Sequence, residues 1–226
     1  MIASPPEPTA ARLARVAGAL YLVVIVCGIG GEGLVRGPLA APFDSAQTAA
    51  NLSGAELPFR VSIIADVVMA LSDVALAVLL YFLLRPISEL LSLMAMAFRL
   101  VQASILGLNL LNLQQAIALA GSSRQGADVL ALHFLEAHAA GYDFGLFFFA
   151  INCMFVGVLV ARSTFLPHAL AWPLLAAGVV YLVGSLLRVL APAAVEAFAP
   201  AYAVPLIAEL AFCAWLLFKG VTPSSS

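Results

Sequence analysis

The stretch AMAFRLVQASILGLNLLNLQQAIALAG, Ala95 to Gly121, decides how the chain folds. It is apolar enough to enter a bilayer, yet it carries an arginine and several amides, among them Arg99, Gln102 and Asn109. At about 100° per residue, these three side chains and Asn112 lie within one arc of about 140° on an α-helix. A charge that faces acyl chains is costly. The pattern therefore predicts a membrane helix whose polar face points into a helical bundle.

The composition places the chain among integral membrane proteins. Of its 226 residues, 64% are hydrophobic and 10% are charged, and the mean hydropathy is +1.08. Soluble domains contain about 45–50% apolar and about 25% charged residues. The net charge is -2 and the basic residues are scattered, which argues against nucleic acid as a partner. We expect the lipid bilayer to be the main partner, and the sequence leaves the oligomeric state open.

Cysteine and histidine spacing gives no sign of a metal or disulfide framework. Each cysteine stands alone in an apolar run, which is typical of a small buried hydrophobe. No two histidines have the four-residue spacing of a helical zinc-binding pair. We therefore predict no metal site and no cofactor. The residues concerned are Cys27, Cys153, Cys213, His133, His138 and His168.

Six apolar segments are long enough to cross a membrane, since about twenty residues span a hydrocarbon core of ~30 Å. The sequence therefore predicts an all-α fold, a polytopic membrane helical bundle with six transmembrane helices in a single domain over residues 1–226. The loop after the first segment, DSAQTAANLSGAE, fits either a short interfacial helix or a plain loop. The predicted spans are about 12–35, 58–84, 90–120, 129–161, 167–190 and 199–218.

Basic residues beside the spans predict the orientation. An even number of spans puts both termini on one side, and the positive-inside rule then favours cytoplasmic termini. The terminal side has Arg12, Arg15, Arg85, Arg162 and Lys219, and the opposite side has Arg36, Arg60, Arg124 and Arg188.

Two tight turns set the relative depth of polar residues on neighbouring spans. Asp73 lies 14 residues before the middle of the RPISE turn and Arg99 lies 12 after it. At ~1.5 Å per residue their depths differ by only about 3 Å, so the two side chains can pair. The next turn, near residue 124, brings Asn109 and His138 to the same level in the same way.

These alignments predict a buried polar pocket between spans two, three and four. Its predicted residues are Asp66, Asp73, Arg99, Gln102, Asn109, Asn112, His138 and Tyr142. Secondary candidates are Glu136, Asp143, Asn152 and Glu209. The same groups also suit a structural role, because buried amides and ion pairs hold membrane helices together. Asp143 then pairs with Arg60 or Arg188, and Glu209 is a hydrogen-bonded core acid without an assigned partner.

A weak internal repeat links the two ends of the chain. AGALYLV at residues 17–23 recurs as AGVVYLV at 177–183, and the following spans carry IIAD at 63–66 and LIAE at 206–209. The pattern suggests that spans one and two repeat as spans five and six.

Several longer motifs resemble one known family. They are ARLARVAGALYL, IADVVMALSDVALAVLLYFLLRP, FRLVQASILGLNLLNL and AHAAGYDFGLFFFAINCMFVGVLVARSTFLP. With these motifs the chain, from about Arg12 to Lys219, resembles the bacterial six-helix membrane proteins of domain-of-unknown-function family 4386. The resemblance implies a six-span bundle in the bacterial cytoplasmic membrane, and it implies no activity.

Three functions fit these observations. The first is a small-molecule or ion carrier, channel or ligand sensor, whose pocket takes a small polar or anionic group with Arg99 as its positive centre and His138 able to titrate near neutral pH. The second is a membrane-embedded enzyme acting on a lipid or isoprenoid, with His138, or Glu136 and Asp143, as acid and base. The third is a structural or partner-binding subunit. No nucleophile stands out, so we assign no catalytic residue and favour the first function.

Overall fold

The structure is a computed structural model, and it describes residues 7–41 and 44–220. Over these ranges the chain is almost entirely helical and has no β-strand. Six of the described helices are long and apolar enough to cross a membrane. The protein is therefore an all-α, multi-pass membrane protein, which confirms the predicted fold class. The first to sixth spans are Ala10–Leu39, Glu56–Leu84, Glu89–Ala120, Ala127–Arg162, His168–Leu190 and Pro192–Lys219.

The first span changes its helical type along its length. An α-helix, Glu7–Gly28, passes into a π-helix, Ile29–Arg36, in which the N–H of Gly37 donates to the carbonyl of Glu32, five residues earlier. In a π-helix residues five apart lie above one another, whereas in an α-helix they are about 140° apart. The span also continues past its predicted end at Val35, so that Arg36 belongs to the helix and not to the loop.

The segment between the first and second spans is a helix, Ser45–Gly54, here called the connecting helix. Of the two predicted alternatives, the helix is therefore the correct one. The Asp44 carboxylate caps it by accepting from the N–H of Gln47 at 2.9 Å. The hydroxyl of Thr48 bonds both backbone groups of Ala41. The apolar face of the connecting helix joins a core of Leu52, Phe59, Ile63, Leu110, Leu113 and Ile117.

The sixth span starts earlier than predicted and is irregular. The segment APAAVEAFAP, predicted as a connection, forms short helical turns at Pro192–Ala194, Val195–Phe198 and Ala199–Tyr202. Proline has no N–H to continue an α-helical ladder, which explains why the first and third of these turns begin at or beside a proline. A regular α-helix follows at Ala203–Ala214, and the span ends as a π-helix at Trp215–Lys219.

The described chain divides into two compact units. The first, here called the Arg99 unit, takes the described residues within Met1–Leu22, Ser72–Ala103 and Asp143–Ser226. The second, here called the Arg36 unit, takes those within Val23–Leu71 and Ser104–Tyr142. The predicted pocket residues fall into both units.

Small residues bring helices close together inside the Arg99 unit. A Cβ added to Gly178 would lie 2.8 Å from the carbonyl oxygen of Ala150, and one added to Gly18 would lie 2.7 Å from the backbone nitrogen of Leu217. Any larger side chain at these two positions would force the helices apart. The contacts are the small-residue packing that is common between membrane helices.

Candidate functional site

Arg99 and Asp73 form a buried ion pair in the Arg99 unit. The Nε and Nη2 of Arg99 both donate to Oδ1 of Asp73, the first at 2.8 Å. The side chains are only 2% and 4% exposed. The register predicted from the RPISE turn is therefore confirmed, and the arginine has its counter-ion where membrane burial requires one.

Aromatic rings enclose the same guanidinium. Its central carbon lies 5.0 Å from the ring centroid of Tyr21 and 5.0 Å from that of Phe149, within the range of cation–π attraction. A cavity beside Arg99, also lined by Ser92 and Asn152, has about 10 Å³ of space for the centre of a water-sized molecule. This is room for about one water molecule. The surroundings of Arg99 therefore favour a structural role for this ion pair.

Glu209 has partners that the sequence had left open. The hydroxyl of Tyr21 donates to its Oε2 at 3.1 Å, and the hydroxyl of Tyr181 donates to its Oε1. The two tyrosines hold matching positions in the repeated motifs AGALYLV and AGVVYLV. The first, fifth and sixth spans thus meet at one buried carboxylate.

Two of the remaining candidates of the Arg99 unit pair with residues on other spans. Asp143 accepts from Nε of Arg188, one of the two partners considered for it. With its amide turned so that both ends bond, Asn152 donates to the carbonyl of Ala95 at 3.0 Å. Gln102 is buried and its Oε1 has no hydrogen-bond partner.

A second buried arginine organises the Arg36 unit. Nη1 of Arg36 lies 2.8 Å from Oδ2 of Asp66 and donates to Oγ of Ser62 at 3.3 Å. Its Nε donates to Glu32 at 2.9 Å. Arg36 is 5% exposed and Asp66 is 2% exposed. The sequence prediction missed the contacts of Arg36, because it placed this residue in the loop after the first span.

Gly31 makes room for the Arg36 cluster. A Cβ at this position would lie 3.0 Å from both Nη1 of Arg36 and Oδ1 of Asp66. The π-helix stacks Gly31 over Arg36, five residues later, so the missing side chain leaves space for the ion pair. The glycine-rich run CGIGGEG, which ends three residues before Arg36, was the one sequence signal for this arrangement.

Asn109 and His138 join the third and fourth spans in the Arg36 unit. Nδ2 of Asn109 donates to the carbonyl of His138 at 2.8 Å, and Nδ1 of His138 lies 3.3 Å from the carbonyl oxygen of Asn109. Asn112 donates to Oδ1 of Asn109 at 2.9 Å. The ring of Tyr142 lies 6.4 Å from that of His138. The register predicted for this hairpin is therefore confirmed.

These contacts fix the tautomer of His138. A carbonyl oxygen can only accept, so the hydrogen must be on Nδ1, and Nε2 of the neutral ring carries a lone pair. Nε2 is buried and has no partner, and the same holds for Oδ1 of Asp66. The Arg36 unit thus contains two buried acceptors without donors.

The eight predicted pocket residues are all buried or half-buried, and they divide between the units. Of the secondary candidates, Glu136 is exposed and belongs to the Arg36 unit. Within residues 7–41 and 44–220, no three histidine, cysteine or acidic side chains are grouped to hold a metal ion. The Arg99 unit contains Asp73, Arg99 and Gln102, and the Arg36 unit contains Asp66, Asn109, Asn112, His138 and Tyr142.

Fold and composition define a multi-pass helical membrane protein with polar groups inside it. A family model described as "Domain of unknown function (DUF4386)" matches residues 16–220, so the chain belongs to the DUF4386 family. This confirms the resemblance seen in the sequence motifs. The chain is also 31% identical, over 168 residues, to a protein of Archaeoglobus fulgidus described as an "Uncharacterized protein". That similarity covers 72% of this chain and 86% of the archaeal protein. No solved structure matches the chain.

Proposed function

We propose that the protein is a small-molecule or ion carrier, channel or ligand sensor whose binding site is the polar cluster of the Arg36 unit. The observation that supports this proposal is the pair of buried acceptors without donors, Oδ1 of Asp66 and Nε2 of His138. Both atoms belong to the Arg36 unit, in which Arg36 binds Asp66 directly and Asn109 bonds to His138.

The energetics of burial support a ligand at this site. A buried polar group without a hydrogen bond costs about 1–3 kcal/mol, and hydrocarbon offers no water to replace the missing partner. The neighbouring amide groups are already in use, since Asn109 donates to His138 and accepts from Asn112. A bound solute that supplies the missing donor lowers the free energy of this arrangement.

Ligand-dependent stability tests this function. The purified chain in lipid nanodiscs is heated with panels of amino acids, sugars, organic acids, amines and alkali cations. We expect one class to raise the unfolding midpoint of the parent and to have no effect on Asp66→Asn or His138→Ala. Glu136→Gln, a change at an exposed position on the same span as His138, is the matched control and keeps the response.

Either of two results contradicts the proposal. One is that no class of solute changes the unfolding midpoint of the parent protein. The other is that the Asp66 and His138 variants, while folded, respond as the parent does.

The polar groups around Arg99 and Glu209 support a structural role, and the buried side-chain atoms without a partner in the described part of this unit are Oε1 of Gln102, Oγ of Ser185 and Nε1 of Trp215. Arg99 is held by Asp73 and covered by two rings, and Glu209 accepts from two tyrosines. The space beside Arg99 admits about one water molecule. We infer that this unit holds the spans together while the Arg36 unit binds the solute.

We further infer that the protein lies in the cytoplasmic membrane with both termini in the cytoplasm, as the family resemblance and the basic residues predict. Arg36 was counted against this orientation in the sequence, but its guanidinium is buried and paired with Asp66. Without Arg36, the basic residues next to the spans favour cytoplasmic termini more strongly.

A further inference from the structure

We propose that the ligand of the Arg36 cluster is a small cation that donates hydrogen bonds, either an ammonium-type ion or a hydronium ion. This inference rests on the proposed function and specifies the class of solute. It depends on three features of the cluster, namely the chemistry of the two unpaired atoms, the sum of the charges and the space beside Gly31.

Both unpaired atoms are acceptors. Oδ1 of an ionised Asp66 can only accept, and Nε2 of His138 carries a lone pair because Nδ1 donates to the carbonyl of Asn109. A carboxylate or phosphate ligand would bring further acceptors, and no hydrogen-bond donor would then lie between its oxygens and the two unpaired atoms. A ligand with several N–H or O–H groups supplies what the two atoms lack.

The charges of the cluster include one carboxylate at its exposed edge. Arg36 and Asp66 are buried and carry opposite charges, and Glu32, whose side chain is 63% exposed, adds a negative charge that brings the formal sum to -1. A monovalent cation makes the cluster neutral, while an anion would make it -2 in a site that membrane burial penalises. This differs from the anionic ligand that the sequence suggested for Arg99, because the arginine of this cluster already binds two carboxylates.

The space next to the unpaired carboxylate oxygen is small. A single added carbon at Gly31 would lie 3.0 Å from Oδ1 of Asp66. The same carbon would lie 3.0 and 3.2 Å from Nη1 and Nη2 of Arg36, so the cluster leaves room beside Oδ1 for a compact donor at most, such as ammonium or methylammonium. Tetramethylammonium has the same charge but is bulkier and has no N–H. It therefore serves as a control that carries the charge of ammonium without its hydrogen-bond donors.

Thermal unfolding of the full chain in nanodiscs tests this inference. Ammonium, methylammonium, tetramethylammonium and sodium chlorides are compared at one pH and one ionic strength. We expect only the first two to raise the unfolding midpoint, by roughly 3–5 °C for each tenfold increase in concentration above Kd. Asp66→Asn is expected to lose this response.

A glycine pair provides a test that leaves every polar group in place. Gly31→Ala puts a methyl group against Oδ1 of Asp66, whereas Gly30→Ala, in the same π-helix, meets nothing within 4 Å. We expect Gly31→Ala to lose the ammonium response and Gly30→Ala to keep it. The comparison stays informative if Asp66→Asn does not fold. An ammonium response that persists in folded Gly31→Ala overturns the assignment.

A pH series without ammonium distinguishes the two cations. Titratable groups around the cluster are Asp66, His138, Glu32 and Cys27, next to the permanently charged Arg36. Stabilisation on acidification that ammonium does not increase, and that Asp66→Asn removes, indicates that the site takes a proton at Asp66 in place of an ammonium ion. Stabilisation by ammonium at constant pH assigns the ammonium ion.

The failure of this inference can be told apart from failure of the proposed function. If an anion or a neutral solute stabilises the parent but not Asp66→Asn, the binding site stands and the cationic ligand is wrong. If tetramethylammonium raises the unfolding midpoint as much as ammonium does, hydrogen bonding is not what selects the ligand. If neither pH nor any solute changes stability through Asp66, both proposals fail.

Discussion

At the scale of single residues, the two buried arginines have their charges compensated by different partners. Arg99 has one carboxylate and two aromatic rings around it, and Arg36 has two carboxylates and a serine hydroxyl. A buried charge that loses its partner is strongly destabilising. The difference lies in what remains unpaired, because Oδ1 of Asp66 is buried without a donor and neither oxygen of Asp73 is.

Removing one partner of the Arg99 pair should destabilise the fold. Arg99→Met leaves Asp73 buried without a counter-ion, and we expect a loss of about 3–5 kcal/mol in the free energy of unfolding. The double variant Arg99→Met/Asp73→Leu should recover most of this loss. Denaturant unfolding in detergent micelles measures the coupling between the two sites.

The exposed pair Arg60 and Glu56 is the control, because its side chains are 55% and 57% exposed. Arg60→Met should change stability by about 0–1 kcal/mol. Equal effects of Arg99→Met and Arg60→Met would show that the Arg99 pair does not stabilise the bundle.

At the scale of helices, the contact between the third and fourth spans depends on one glycine. A Cβ at Gly141 would lie 2.7 Å from Cγ of Asn109, the residue that donates to the carbonyl of His138. A side chain at Gly141 would therefore push Asn109 out of its bonds. The helix pair can form these hydrogen bonds because position 141 has no side chain.

Gly141→Ala should weaken this helix pair. We expect it to lower the free energy of unfolding by about 1–3 kcal/mol, the usual cost of overpacking. Gly107→Ala, at a position with nothing within 4 Å, should be neutral or about 0.5–1 kcal/mol more stable. Denaturant unfolding of the two variants checks the difference, and a loss that is equal for both would refute the assigned contact.

Regular elements could be predicted from the sequence, and irregular ones could not. The pairing of Asp73 with Arg99 follows from a tight turn and the rise of an α-helix, so counting residues was sufficient. Arg36 was misplaced because a charged residue followed by Gly37 and Pro38 is typical of the end of a span, whereas the first span continues to Leu39. The tyrosine partners of Glu209 are up to 188 residues distant, and no local pattern specifies such a contact.

At the scale of the whole molecule, composition was sufficient to identify a multi-pass membrane protein. Length and hydropathy located six spans, because the thickness of the hydrocarbon core fixes how many apolar residues a crossing needs. The division into two units was not predictable, since it depends on which side chains pack together. The unpaired state of Asp66 and His138 depends on three-dimensional contacts in the same way.

An even number of spans predicts that both termini share one side of the membrane. We expect a fluorescent protein fused to the C-terminus to fold and fluoresce in the cytoplasm, and alkaline phosphatase at the same position to be inactive. The same pair of reporters fused after Arg124, between the third and fourth spans, should give the opposite result. Active phosphatase at the C-terminus would reverse the proposed orientation.

The hydrogen bond between Tyr21 and Glu209 has a consequence for how the protein is made. The ribosome releases Tyr21 into the membrane 188 residues before it reaches the acid that accepts its hydroxyl. During that interval the hydroxyl needs a temporary acceptor, such as a lipid headgroup or the insertion machinery. A nascent chain that stops before its final span never acquires the acid, and its first helix is then exposed to the quality-control proteases of the cell.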